Sequence, residues 1–172
     1  MSTNASESPS EISNTLLKSE KKSYQTLKFR LLGLIPLLLF LARLRDLIAI
    51  GEPGHILWMC HISNLTLALG LFFAWPLLVR ISIPWLVFGL PLWIWDMTQV
   101  GIFGGLSSFG THIGGLLVGL FALSKMRYDN RSWLYAFIWY LVVQQICRMV
   151  TPVEFNVNIA HDVFDDLQRW EH

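Results

Sequence analysis

The feature that most limits what this chain can become is the near-absence of charge from a series of apolar stretches between Leu27 and Val150. Hydrocarbon offers a polypeptide backbone no hydrogen-bond partners, so a segment of this kind crosses a bilayer as a helix, which satisfies its own amides. The stretches follow one another over short joints, leaving no room for a separate soluble domain. The expected fold class is therefore all-α, a polytopic integral membrane protein with five transmembrane helices. Composition agrees, with 53% of the 172 residues hydrophobic and only 15% charged.

Residues 1–26 are rich in Ser, Glu, Asn and Lys and read as a disordered tail. They contain no short apolar core with a small-x-small cleavage site, so the first apolar segment reads as an uncleaved anchor. The membrane domain is placed at residues 27–151, with spans at 27–44, 56–78, 84–103, 109–124 and 132–150. Pro36 is expected to kink the first span, Gly51-Glu52-Pro53-Gly54 to form a turn and residues 104–108 a loop. Residues 152–172 form a polar C-terminal tail, in which 162–170 is expected to lie at the interface as a short amphipathic helix.

Five spans place the termini on opposite sides, and the distribution of basic residues orients them. With the N-terminus inside, nine Lys and Arg residues (18, 21, 22, 28, 30, 80, 125, 127 and 131) lie on the inner side and four (43, 45, 148 and 169) on the outer. The expectation is N-inside, C-outside, multi-pass in a cell inner membrane. A net charge of +1 with scattered basic residues gives no footprint for nucleic acid, so the expected partner is membrane lipid. Two cysteines, Cys60 and Cys147, are too few for a disulfide framework, although they would pair with each other if brought together in an oxidising compartment.

In that topology the polar side chains gather at the outer end. Trp58-Met59-Cys60-His61-Ile62-Ser63-Asn64 opens the second span, with Cys60 and Asn64 sharing a face at i, i+4. Thr111 and His112 fall in the first turn of the fourth span, Gln144, Cys147 and Arg148 in the last turns of the fifth, and Asp96 about two turns below the outer end of the third. A buried polar side chain is costly in hydrocarbon, so such convergence marks a functional site or a structural polar seam. Within the seam reading, Arg148 would simply neutralise Asp96.

The functional reading is thiol chemistry. His112 would take the Cys60 proton, the thiolate would attack an ester carbonyl at the headgroup boundary, and Asp96 would orient the imidazole. Asn64, Gln144 and Arg148, with Asn156, Asn158 and His161 from the tail, are candidate substrate-binding residues that would hold an oxyanion or a lipid phosphate. A metal-dependent lipid hydrolase is the alternative, with His55, His61, His112 and His161 as candidate ligands, though their spacing matches no established zinc pattern. A non-enzymatic accessory subunit is the third reading. No nucleotide loop, haem motif or serine-hydrolase elbow is present, and no cofactor is expected.

The Cys-centred start of one helix (Trp58 to Asn64), the Thr-His start of a later one (Thr111-His112) and the Asn-x-Asn segment after the last (Asn156-Val157-Asn158) resemble the transmembrane acyltransferases that remodel ether phospholipids, together with their uncharacterised bacterial inner-membrane relatives. The resemblance covers roughly residues 55–160, and it differs in having Trp58 where that family has His before its Leu-Cys pair. It implies that Cys60 carries an acyl group and that His112 acts as base.

Overall fold

A computed structural model describes residues 26–100, 105–126 and 129–161, and among them every regular element is helical. The six helices are α1 (Leu27–Leu31), α2 (Leu34–Ala49), α3 (Met59–Phe72), α4 (Pro76–Val100), α5 (Gly105–Ser124) and α6 (Ser132–Val150). The expected N-terminal tail and the interfacial helix at 162–170 fall outside the described residues, except for Thr26.

Three of the helices, Pro76–Thr98, Gly105–Ser124 and Ser132–Val150, are long and apolar enough to cross a membrane. No more than 39% of the apolar window of any of them is buried within the protein, and Phe88, Leu92, Leu117 and Trp133 are each more than 60% exposed. Apolar surface on this scale is matched to a hydrocarbon solvent rather than to water.

Element boundaries differ from the sequence expectation in four places. The first apolar segment is two helices broken at Leu32-Gly33, because the Gly33 backbone passes so close to α3 that a Cβ there would lie 2.9 Å from the Ala68 carbonyl oxygen. Pro36 sits in the first turn of α2, where its missing N–H forfeits no helical bond, and α2 runs on past Arg43 to Ala49. The joint between the second and third segments lies at residues 73–75, not at 79–83. Ala74 adopts a left-handed φ of 52°, and bonds from Trp75 N–H to the Gly70 carbonyl (2.8 Å) and from Ala74 N–H to the Leu71 carbonyl (3.2 Å) close a tight C-terminal cap. Pro76 then opens α4, which continues through Pro84 and Pro91. Finally, residues 105–108, expected as loop, are the first turn of α5.

The helix α3 lies in the middle, packed mainly on α4 and also on α2 and α5. Two apolar clusters hold the bundle. One, around Leu67, Leu71, Val79, Leu86, Val118 and Ala122, lies toward the α3–α4 turn. The other, around Met59, Val143, Cys147, Val157 and Ala160, lies where α3 begins and α6 ends. The Gly115 and Gly119 face of α5 allows close approach: a Cβ at Gly119 would lie 2.6 Å from Ile83 Cδ1.

Candidate functional site

The end of the bundle where α3 starts is organised by the chain after α6, which folds back in two short 3-10 turns, Val153–Phe155 and Val157–Ile159. No local side chain caps α3. Asn158 supplies the cap from 99 residues away, its Oδ1 accepting the Met59 N–H at 2.9 Å and its Nδ2 donating to the Leu57 carbonyl at 2.7 Å. Tyr140 OH and Gln144 Nε2 donate to the backbone carbonyls of Asn158 and Ile159 at 2.9 and 3.1 Å, holding that loop in place.

Cys60 and His61 follow directly in the first turn of α3. Across from them α5 widens: Gly110–Gly114 is a π-turn, in which the Gly115 N–H bonds to the Gly110 carbonyl. His112 lies in the middle of it, two turns inside the helix rather than in its first turn. π-Turns shift a side chain off the regular helical lattice and expose backbone carbonyls, and they recur at functional sites. Here the Ser108 carbonyl accepts both His112 Nδ1–H at 2.8 Å and the Thr111 hydroxyl at 2.9 Å. A carbonyl only accepts, so Nδ1 carries a proton and Nε2 is the ring nitrogen left for another contact. The indole of Trp93 stacks on the same imidazole, with centroids 4.9 Å apart at 13°, and donates to Ser108 Oγ at 2.9 Å.

The result is a convergence of three donor groups. Cys60 Sγ lies 3.8 Å from His61 Nδ1, the His61 and His112 rings meet edge-on at 5.5 Å, and one potential ligand atom from each of Cys60, His61 and His112 lies within 4.8 Å of the other two. Both imidazoles are buried. Asn64 locks the two walls together, its Nδ2 donating to the Cys60 carbonyl at 2.9 Å and to the Thr111 carbonyl at 3.0 Å. Its Oδ1 faces Gly115 at a separation that leaves no space for a Cβ.

The other residues singled out in the sequence take different places. Asp96 is exposed, and the charge within its electrostatic reach is Arg43. His112 is oriented by the Ser108 carbonyl. Arg148 is exposed on α6. Asn156 Oδ1 accepts the His161 N–H at 2.9 Å, and His161 Nε2 donates to the Thr151 carbonyl at 3.1 Å, so both stabilise the tail. His55 pairs with Glu52 at 3.0 Å and packs on the Phe155 ring. Both cysteines are free, Cys147 being buried in the second apolar cluster, where its Sγ accepts from Asn158 Nδ2 at 3.3 Å.

Arg43 is not among the site residues expected from the sequence, and His61 is among them only as a metal ligand. The signal for Arg43 was helical spacing: Pro36, Phe40 and Leu47 are buried on α2, and Arg43 falls on their stripe. His61 lies about 100° from Cys60 around the helix. That angle decides little on α3, which is enclosed on several sides, with nine of its residues buried.

Comparison of the chain with protein-family models, with curated proteins and with solved structures finds no match.

Proposed function

We propose that the chain is a multi-pass membrane protein, N-inside and C-outside in a cell inner membrane with α1–α2 and α3 completing five crossings. Its Cys60–His61–His112 cluster holds a divalent transition-metal ion and acts hydrolytically on a lipid or lipid-like substrate at headgroup depth. The observation that carries this reading is the mutual approach of three donor atoms within 4.8 Å, two of them on buried imidazoles.

A thiolate and two imidazoles form a borderline-soft donor set suited to zinc. The His112 Nδ1–H bond to the Ser108 carbonyl is the outer contact that ligating histidines make, and it leaves Nε2 to face the metal. A metal held by Cys60, His61 and His112 would supply Lewis acidity and activate a water near neutral pH. The residues of the chain hold this geometry: Asn64 fixes the separation of the two walls, and Trp93 and Ser108 fix the His112 ring.

A cysteine–histidine pair working as nucleophile and base has no use for a second buried imidazole. It also needs free donors for the oxyanion, whereas both hydrogens of the Asn64 amide go to backbone carbonyls and Gln144 is committed to the tail.

The test is cobalt substitution of the detergent-purified full chain. One equivalent of Co(II) per chain is expected, with a thiolate-to-metal absorption band in the near ultraviolet that Cys60→Ser abolishes. Wild-type protein that binds no Co(II) or Zn(II) overturns the metal assignment. The second reading, thiol-dependent acyl transfer, is favoured by the 3.8 Å approach of Cys60 Sγ to His61 Nδ1 and by the acyltransferase resemblance. It predicts metal-free protein with lipid turnover that disappears in Cys60→Ala.

A further inference from the structure

Arg43 is the charged group most closely tied to this site, and its position on α2 is fixed by packing. The buried residues Pro36, Phe40 and Leu47 define the inward stripe of that helix, and Arg43 lies three residues after Phe40 and four before Leu47. One turn earlier, Leu39 presses against α5 on either side of His112: Cβ atoms at Gly110 and Gly114 would lie 2.8 and 3.0 Å from its methyl groups. The next turn of the same face therefore brings the Arg43 side chain toward the cluster. Its charge lies within electrostatic reach of Cys60, Asp46 and Asp96 and of the His61 and His112 rings.

Among the described residues no carboxylate forms an ion pair with the guanidinium within 4 Å. Its Nε is buried with no hydrogen-bond partner among the described residues. The ion pairs among those residues are Arg45–Asp46 and His55–Glu52, so Asp46, the nearest carboxylate in sequence, is engaged by Arg45 at 2.7 Å. Asp96 is exposed and forms no ion pair with Arg43 within 4 Å. Arg45, with 80% of its side chain exposed, behaves as an arginine reaching for the membrane surface, whereas Arg43 is half-buried and faces inward. Arg43 lies six residues before the end of α2, about 9 Å at about 1.5 Å per residue, and in the topology proposed above that places it near the level of lipid phosphate and ester groups. A planar guanidinium matches two oxygens of a phosphate at once.

We propose that Arg43 forms an anion subsite beside the Cys60–His61–His112 cluster, taking the phosphate of an anionic lipid headgroup so that the adjoining ester or phosphoryl group faces the cluster. This names the substrate class of the site proposed above and rests on that reading for the site's location. It does not depend on the metal, because among the described residues Arg43 forms no ion pair within 4 Å.

The experiment is native mass spectrometry of the detergent-purified full chain in mixed micelles containing either phosphatidylglycerol or zwitterionic phosphatidylcholine. Wild-type protein is expected to retain one phosphatidylglycerol per chain in preference to phosphatidylcholine. Retention should fall at least tenfold in Arg43→Gln, persist in part in Arg43→Lys and remain unchanged in Arg45→Gln. Thermal unfolding of each variant separates lost binding from lost fold, and if Arg43→Gln is unstable, the Lys variant with its retained charge carries the comparison. Equal retention of phosphatidylglycerol by wild type and Arg43→Gln overturns the subsite, as does equal retention of the two lipids by wild type. Full displacement of the lipid by millimolar inorganic phosphate overturns its assignment to a headgroup. Absence of Co(II) binding with lipid selectivity intact removes the metal reading and leaves the Arg43 subsite standing.

Discussion

The Asn64 amide nitrogen lies 3.0 Å from the carbonyl oxygen of Thr111, joining α3 to the π-turn of α5 across 47 residues of chain. Because the same nitrogen donates to the Cys60 carbonyl, the spacing between Cys60 and His112 is set by one side chain that takes no part in the chemistry. Asn64→Leu is expected to leave a buried carbonyl unpaired and to cost about 2–3 kcal/mol. Thermal unfolding in detergent measures it, and an unchanged midpoint would show that the bridge contributes nothing.

Gly115 is required by Asn64 and not by helix propensity, since its missing Cβ is the space occupied by Asn64 Oδ1. Gly115→Ala should destabilise by about 2 kcal/mol through overpacking. Combined with Asn64→Ala, which vacates the space, the loss should fall short of the sum of the two single effects by about 1 kcal/mol. Strict additivity would refute the steric account.

Asn158 acts through both its side chain and its left-handed backbone, φ 57°. Asn158→Gly keeps the backbone permissible and removes only the cap, so it should cost about 2 kcal/mol, and Asn158→Ala about 1 kcal/mol more. Hydrogen exchange offers the local readout: protection should drop at the amides of residues 59–62 while the middle of α6 stays protected.

The four histidines of the described residues should divide sharply in metal titrations. His61→Ala and His112→Ala are expected to weaken Co(II) binding by more than about 100-fold, and Trp93→Leu, which only supports the His112 ring, by about tenfold. His55→Ala and His161→Ala should leave affinity and stoichiometry unchanged, because those rings serve Glu52 and Thr151. Affinity in the wild type should fall as pH is lowered, since protons compete for the thiolate and the imidazoles. Equal loss in all five variants would mean that the effect is on the fold and not on ligation.

Hydrophobic patterning by itself determined the helical class and the apolar character of the long segments, and it located α6 to the residue, because the bilayer constraint acts on each segment alone. It also determined that polar groups gather where α3 begins, and that Cys60 and Asn64 share a face. Proline and glycine were read less well. The expected spans 56–78 and 84–103 put Pro76 near the end of one helix and Pro84 at the start of the next, yet α4 starts at the first and runs through the second, because whether a proline breaks or opens a helix depends on the turn that precedes it. Only the tertiary structure decided which polar residues work together. The Asn64 bridge to the Thr111 carbonyl and the Asn158 cap on α3 join residues 47 to 101 positions apart in the chain. Such contacts leave no periodicity in the sequence. Arg43 shows the division within one residue: its place on an inward stripe was written in helical spacing, but its neighbours belong to α3, α4 and α5 and exist only once the bundle has packed.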